Sequence, residues 1–283
     1  MRNTLTITLA LAVTCCAACA APQVIIHAQA TPAGENLVKN PGFEEGEGEW
    51  PDAWSWTSNQ PTRVTRFWAE EAATGKRSAG TRSELSAGSG YWTQSVPVEP
   101  DREYLLRARV KIEGGKVLIR ALGTDEQDVM NSFDKRAYDF RRAGHLLVPV
   151  FWRPEWVTGI HREPWTPVDL VFDTRCDPAP TQVIVHVGSY FAEGIACFDD
   201  VYLGPGQLQL TYLVSGAPLE SVRLLDADGQ ELAASGALAE GTDEFEGSAE
   251  GLPLVGPYCV EAKTTDGKLT REWYPEPPEG GGR

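Results

Sequence analysis

Apolar and polar residues alternate with a period of two in several stretches of the chain, each bounded by turn residues. Because successive side chains of a strand point to opposite faces, this alternation predicts half-buried β-strands. The predicted strands cover residues 90–98, 103–112, 116–122, 167–174, 181–190 and 196–203. No stretch shows the capped 3.6-residue period of a long amphipathic helix, so the pattern predicts an all-β protein.

A second alternating region follows "GPG" at 204–206. Asp228-Gly229 and Asp266-Gly267 each lie between alternating apolar segments, which is typical of β-hairpins. We therefore expect a small immunoglobulin- or fibronectin-like sandwich over 207–275 and a disordered tail over 276–283. Residues 124–163 break the rhythm, and a long irregular excursion between strands is often where ligands bind.

The composition agrees with a turn-rich β protein. The chain of 283 residues has 28 glycines, 20 prolines and nine tryptophans. Its formal net charge is −15. Such a charge repels phosphate backbones, so we expect no nucleic-acid partner. It is compatible with Ca²⁺ and with neutral ligands, and establishes neither.

Residues 1–30 are predicted to be an export signal, with Arg2 as the positive end and an apolar run that closes on small residues. Two sites fit the small-x-small cleavage rule: "Ala-Gln-Ala" at 28–30 and "Ala-Cys-Ala" at 18–20. Lipid attachment to Cys15, Cys16 or Cys19 is an alternative, and a retained membrane anchor is a third. We expect a secreted or cell-envelope protein, with no membrane span after the leader.

Three cysteines remain beyond the leader: Cys176, Cys197 and Cys259. In an oxidising compartment, Cys176 and Cys197 could form a disulfide between neighbouring strands. The alternative is that both are buried thiols. Cys259 lies in a strand-like context and is expected in the core.

Five motifs occur in order along the first part of the chain: "NLVKNPGFEEG" from residue 36, "WPDAW" at 50–54, "ATGKRSAGTRSE" at 73–84, "YWTQSVPVEPDREYLLRARVKI" at 91–112 and "ACFDDVYLGP" at 196–205. Together they resemble the CenC-like carbohydrate-binding modules of families four, nine and twenty-two, in the galactose-binding-like jelly-roll group. The resemblance covers about residues 36–205. It implies a jelly-roll β-sandwich of two antiparallel sheets, with the first and last strands adjacent.

The resemblance also implies a structural Ca²⁺ near the chain ends of this sandwich. Phe43 would pack in the core, and Glu44 would approach Asp199 and Asp200 of the last strand. Carboxylates and backbone carbonyls are the oxygen ligands that Ca²⁺ prefers. Glu44 and Asp199 are the expected ligands, followed by Asp200 and Glu45. The alternative is that these acids only cap turns in contact with water.

Sugars bind to aromatic faces flanked by hydrogen-bonding groups. The excursion at 124–163 is rich in both, and Trp152 and Trp156 are the predicted sugar-binding residues, with Tyr138, Phe140 and Arg141 behind them. The alternative is that these aromatics anchor the loop to the sandwich. The tryptophans and the tyrosine expected to be structural are Trp54, Trp92, Trp165 and Tyr104.

No motif of an enzyme active site is present in the sequence: it has no Gly-x-Ser-x-Gly, His-Glu-x-x-His or P-loop pattern. The carboxylates near the excursion have no spacing that singles out an acid and a base: Asp128, Asp134, Glu155 and Glu163. His186 lies in a strand pattern and is expected to be a core or face residue.

These observations predict a non-catalytic, exported module that binds a polysaccharide or glycan, with the second sandwich as a spacer. The alternative is a cell-surface structural or adhesion protein whose sandwiches bind a protein partner or act as spacers. Joint exposure of Trp152 and Trp156 on one surface would favour the first hypothesis.

Overall fold

The computed structural model describes residues 21–124, 150–151, 165–175, 179–191 and 193–274, of which 150–151 are described as backbone alone. Every regular element within these ranges is a β-strand, as predicted. The same ranges contain no helix long and apolar enough to cross a membrane.

Sheet I has the strand order β10-β9-β12-β7-β4. Its strands are β4 (Ser55–Ser58), β7 (Ser89–Pro97), β9 (Val117–Thr124), β10 (Val150–Phe151) and β12 (Gln182–Tyr190). Sheet II has the order β11-β8-β13-β6-β5. Its strands are β5 (Val64–Ala69), β6 (Ser78–Ser83), β8 (Glu103–Ile112), β11 (Thr166–Asp173) and β13 (Gly194–Gly204). All pairings are antiparallel, and a short ribbon of β2 (Gly46–Glu47) and β3 (Trp50–Pro51) precedes β4.

Sheets I and II enclose the first apolar cluster. Alternate residues of β8, β12 and β13 point into it, and the large side chains Trp92, Phe43 and Phe198 are fully buried there. The six strands predicted from the alternation all occur, as β7, β8, β9, β11, β12 and β13. The period-two pattern located them because one face of each strand is apolar and packed.

Sheets III and IV enclose a second apolar cluster. Sheet III has the order β1-β14-β17, with β1 (Gln23–Pro32), β14 (Gly206–Ser215) and β17 (Glu244–Leu252). Sheet IV has the order β16-β15-β18-β19, with β15 (Leu219–Leu225), β16 (Glu231–Ala234), β18 (Tyr258–Thr264) and β19 (Leu269–Tyr274). Both predicted hairpins are present, and Gly229 and Gly267 have φ of 81° and 85° at their turns.

Strand β1 lies largely within residues 1–30, the predicted leader. Residues 23–32 pair with β14 along the whole strand. The smaller unit is therefore built from β1 together with the predicted range 207–275. The apolar alternation of β1 resembles part of a leader because both are apolar and both end in small residues.

The smaller unit packs on the outer face of sheet II. Leu105 of β8 and Tyr202 of β13 point away from the first cluster and belong to the second. Glu103 Oε2 accepts a hydrogen bond from the Leu254 amide at 2.8 Å, and Arg107 Nη2 donates to the Ala30 carbonyl at 2.8 Å. Among the described residues, the smaller unit contributes no strand to the outer face of sheet I. This contrast directs attention to sheet I.

Candidate functional site

The segment that enters the sandwich is tied to its last strand by Asn36. The Asn36 side chain donates to the Val201 carbonyl at 2.9 Å and accepts from the amides of Val38 and Leu203, both at 3.1 Å. One amide side chain can both donate and accept, so it joins two backbones that do not form a regular ladder. The predicted adjacency of the first and last segments of the jelly roll is thus present.

Asn40 performs the same task for the turn that follows. Its side chain donates to the carbonyls of Glu45 and Asp52, at 2.8 and 3.0 Å, and accepts from the Glu45 amide at 3.1 Å. The Asn40 carbonyl in turn accepts from Trp54 Nε1 at 3.0 Å. Asn40 has φ of 47°, a left-handed conformation that asparagine tolerates better than most residues.

Phe43 is fully buried, as predicted, and its backbone also lies in the left-handed region, with φ of 55°. Its ring packs 4.7 Å from that of Trp54, and its carbonyl accepts from Trp68 Nε1 at 2.7 Å. A bulky residue holds such a conformation only where its surroundings determine it. Here the contacts with Trp54 and Trp68 hold the backbone of Phe43 in this conformation.

Glu44 binds a backbone loop. Its Oε1 atom accepts from the amides of Lys76 and Arg77, at 2.7 and 2.9 Å. Gly75 lies between the loop and this carboxylate, and a Cβ there would come within 2.3 Å of Glu44 Oε1. Gly75 also has φ of 72°, so both space and conformation require glycine.

Asp199 holds the preceding part of the same loop. Its Oδ2 atom accepts from the amides of Ala73 and Thr74, at 2.7 and 3.0 Å, and its Oδ1 accepts from the Asp200 amide at 2.7 Å. Burial, offset in part by these donors, raises the pKa of Asp199 to about 6. A β-bulge between Asp199 and Tyr202 turns this carboxylate toward the loop.

We call the set formed by residues 36–45, the loop 73–77 and Asp199 the entry clasp. Asp200, a predicted metal ligand, accepts from the Thr74 hydroxyl of the same loop at 2.6 Å and also lies 3.4 Å from Arg109 Nε. Glu45 contributes backbone contacts to the turn. Within the described ranges, no group of three histidine, cysteine, aspartate or glutamate side chains is arranged to hold a metal.

The outer face of sheet I carries a different set of side chains. On β12, Val183, Val185 and Val187 point into the first cluster, so Ile184, His186 and Tyr190 point outward. Across the ladder, His186 pairs with Thr93 on one side and with Arg120 on the other. The strand register thus brings an imidazole, a guanidinium and a tyrosine to one surface.

Tyr91, Arg120 and His186 are in contact on this face. The Tyr91 and His186 rings are 5.6 Å apart in an edge-on arrangement, and Arg120 Cζ lies 5.5 Å from the centre of the Tyr91 ring. Burial, with the positive charge of Arg120, lowers the pKa of His186 to about 3. Burial also lowers the pKa of Arg120 and raises that of Tyr91. At neutral pH the imidazole is therefore uncharged.

The cluster opens to solvent at the end of β12. His186 is fully buried and Tyr91 is 6% exposed, whereas Phe191 is 46% exposed. Phe191 packs edge-on against Tyr190 at 4.7 Å. The Phe191 amide donates to Ser89 Oγ at 3.2 Å, and Phe191 has φ of 45°. A large apolar ring held outward by a strained backbone is a surface feature that needs an explanation.

We call Tyr91, Arg120, His186, Tyr190 and Phe191 the aromatic face. Sequence reasoning placed His186 on a strand, which is correct, but did not identify this set. Its members come from three strands that are distant in the chain, and each one alone resembles an ordinary strand residue. The register of β7, β9 and β12, which alternation alone does not give, is the missing signal.

The predicted sugar-binding residues Trp152, Trp156, Tyr138 and Arg141 lie outside the described residues, as do Phe140 and the four carboxylates near the excursion. The backbone of Val150–Phe151 is described, and it pairs with Leu118 and Val117 of β9. Val117 also pairs with Ser189, next to Tyr190. The excursion therefore returns to sheet I beside the open end of the aromatic face.

Three of the aromatic residues predicted to be structural are buried, namely Trp54, Trp92 and Tyr104, and Trp165 is half-buried. Cys197 is a free thiol, buried on the outer side of β13, where burial raises its pKa to about 12. For Cys197 this agrees with the alternative of a buried thiol; Cys176 lies outside the described residues. Cys259 is also a buried free thiol, as predicted.

Two other surfaces of the described residues differ from the aromatic face in how their side chains are paired. Trp50 is 37% exposed, but Arg66 covers its ring at 3.9 Å and its Nε1 donates to the Trp54 carbonyl. A cleft of about 1010 Å³ lies where β8 and the smaller unit meet. Charged groups there pair with each other, Arg102 with Glu99 at 2.9 Å and Arg175 with Glu103. On the first surface a cation covers the exposed ring, and on the second the charged groups pair with each other.

No family model and no curated protein matches the chain. Solved structures do. The enzymatically active domain of tailspike protein 4 from bacteriophage CBA120 has a TM-score of 0.44 at 15% identity, over 60% of this chain and 21% of that one. This chain thus spans about a fifth of that domain.

Two further neighbours correspond to the two functions considered from the sequence. One is the xylan-binding family 22 carbohydrate-binding module from Paenibacillus barcinonensis, with a TM-score of 0.39 and 15% identity over 61% of this chain and 96% of that one. The other is the adhesin domain of Epf from Streptococcus pyogenes, with 0.36 and 10% over 85% and 96%. The first belongs to a family that the sequence resembles. Both TM-scores are below 0.5, so these likenesses do not identify a ligand for this chain.

Proposed function

We propose that this chain is an exported, non-catalytic module that binds a polysaccharide or glycan on the aromatic face of sheet I. One observation carries the proposal: an aromatic and guanidinium cluster on the outer side of sheet I, buried at His186, ends in the exposed ring of Phe191. The opposite side, on sheet II, is occupied by the smaller unit. The expectation of export rests on the sequence of the leader.

The chemistry of the face suits a sugar. The ring of Phe191 offers an apolar surface to the C–H side of a pyranose, and Tyr190 lies beside it. The neighbouring Asn59 side chain is exposed, and its Oδ1 accepts from the Ser89 amide at 2.7 Å. The neutral imidazole and the guanidinium form a polar floor behind the rings. Such a site is shallow and wet, so we expect modest affinity.

The excursion is proposed to complete this site. The backbone of Phe151, the residue before Trp152 in the sequence, pairs with Val117, which also pairs with Ser189. We therefore propose Trp152 as a further stacking residue, with Trp156, Tyr138 and Arg141 on the same excursion.

The experiment is a glycan and polysaccharide panel on the exported protein, followed by titration of any bound glycan. Phe191→Ala and Trp152→Ala are expected to weaken binding at least tenfold, about 1.4 kcal/mol. Trp50→Ala is the matched control, since it removes a partly exposed tryptophan that is not part of the aromatic face, and it should bind normally. Equal loss in all three variants would refute the assigned site. A blank panel with folded protein would favour the adhesion hypothesis.

We also propose that the entry clasp binds Ca²⁺ through Glu44 and Asp199. Both carboxylates accept from amides of the loop 73–77, which brings two acidic side chains to one loop. Asp200 is left out, because Thr74 and Arg109 engage it. Backbone carbonyls would supply the other ligands that Ca²⁺ requires. When bound, the ion would supply positive charge to the clasp and take no part in chemistry.

A melting experiment tests the Ca²⁺ proposal independently of sugar binding. Millimolar Ca²⁺ should raise the melting temperature relative to chelator, and Asp199→Asn should remove the difference. Glu71→Gln is a control, since Glu71 pairs with Lys111 on the same sheet but outside the clasp. An unchanged melting temperature on adding Ca²⁺ would show that the acids act only as acceptors for the loop amides.

A further inference from the structure

The first described strand lies within the predicted leader but belongs to the folded protein. β1 pairs with β14 at ten positions, from Gln23 with Ser215 to Pro32 with Gly206. Its side chains alternate strictly: Val24, Ile26 and Ala28 pack against the second apolar cluster, and Ala30 is 6% exposed within it. A strand with this pattern contributes one of its faces to the core of the folded protein.

Other contacts hold β1 to the jelly roll. Arg107 Nη2 donates to the Ala30 carbonyl at 2.8 Å, and the Ala33 amide donates to the Pro205 carbonyl at 2.9 Å. The same Arg107 forms a two-point ion pair with Asp169, at 2.6 and 2.8 Å. Pro22, just ahead of the strand, is buried as well.

Cleavage after Ala30 would remove eight of the ten paired residues, 23–30. The edge of β14 would lose its partner, and the apolar residues beneath β1 would face water. An open edge strand also invites pairing with other chains. The site at 28–30 therefore satisfies the cleavage rule but conflicts with the fold.

We propose that the leader is cut after Ala20, at the "Ala-Cys-Ala" of 18–20, and that Gln23–Pro32 remains in the exported protein as its first strand. Hydrolysis of the Ala20–Ala21 peptide bond by a leader peptidase consumes one water. It leaves a carboxylate on Ala20 and an amino group on Ala21. Small residues at 18 and 20 meet the specificity of such peptidases.

The test is the N-terminal sequence and intact mass of the full chain, expressed with its own leader in an exporting bacterial host. The expected product begins at Ala21 and is ten residues longer than one that begins at Thr31. A chain that begins at Thr31, or that keeps Met1, would overturn the proposal. A lipid-modified chain that begins at Cys19 would overturn the cut after Ala20.

Two variants separate the competing sites. Ala20→Arg should block processing, whereas Ala30→Arg should leave the new N-terminus at Ala21. Both are read on the denatured chain, so a folding defect from Arg at buried position 30 does not obscure the result. The reverse pattern would place the cut after Ala30. As a further check, residues 31–283 should unfold at a lower temperature than residues 21–283; equal melting temperatures would contradict a structural role for β1.

Discussion

The entry clasp and the aromatic face lie on the same sandwich but differ in what fixes their residues. The clasp is dense in sequence motifs, and nearly every one of its polar atoms is used by the chain itself: Asn36, Asn40, Glu44 and Asp199 all bind backbone groups. The aromatic face has no motif, yet it presents a 46% exposed ring beside a buried polar cluster. In this protein the recognisable motifs belong to residues that hold the fold together. The candidate site lies in strands that carry no recognisable motif.

The comparison explains why acidic residues that look like a binding site serve a structural purpose. The chain enters the jelly roll through turns with left-handed residues, and such turns leave backbone amides without ladder partners. Carboxylates and asparagines satisfy those amides. On sheet I the strand ladders already pair the backbone, so its amides do not need side-chain acceptors of this kind.

The largest expected effect is a loss of stability caused by a substitution in the entry clasp. Phe43→Ala removes a fully buried ring that packs against Trp54, and should lower the free energy of unfolding by about 3–5 kcal/mol. Denaturant unfolding measures it. Glycan affinity of the folded fraction should not change, because Phe43 packs inside the first cluster and is not part of the aromatic face. Lost affinity with unchanged stability would reverse the assigned roles.

The next largest expected effect is a pH dependence of stability that comes from His186. Its pKa is about 3 in the folded protein, against 6.5 ordinarily, so the unfolded chain binds more protons between these values. The free energy of unfolding should therefore fall as pH drops from 6.5 toward 3, by at most about 1.4 kcal/mol per pH unit from this residue. Above pH 6.5 this contribution is constant.

His186→Gln should remove that slope while other titrating groups keep theirs. The measurement is denaturant unfolding of both proteins at several pH values between 4 and 8. Parallel curves for the two proteins would mean that His186 is solvated and not part of a closed cluster.

The smallest effect on stability, together with a clear effect on binding, is expected at Phe191, the exposed ring of the aromatic face. Phe191→Gly removes the exposed ring but relieves a left-handed backbone, which costs a non-glycine residue about 1 kcal/mol. Stability should stay equal or rise while glycan binding weakens at least tenfold. Ala53→Gly is the matched control, since Ala53 also has positive φ, at 67°, and lies near the ribbon of β2 and β3. It should bind like the unchanged protein.

The sequence predicted the framework of the fold because burial on one face of a strand leaves a period-two pattern in the chain. It predicted Phe43 and Trp92 as core residues correctly. It missed β1, since an apolar strand next to a leader has no boundary in composition. It missed Tyr91, Arg120 and Phe191, because their proximity depends on strand register and on a single left-handed residue, which local pattern does not encode.

Hydrogen exchange of the exported protein with and without a bound glycan tests the central claim most directly. The account predicts slower exchange of the amides in β9 and near the end of β12, through Phe191, with unchanged exchange in residues 36–54 and 73–77. Protection confined to the entry clasp, with none in β9 or β12, would contradict it.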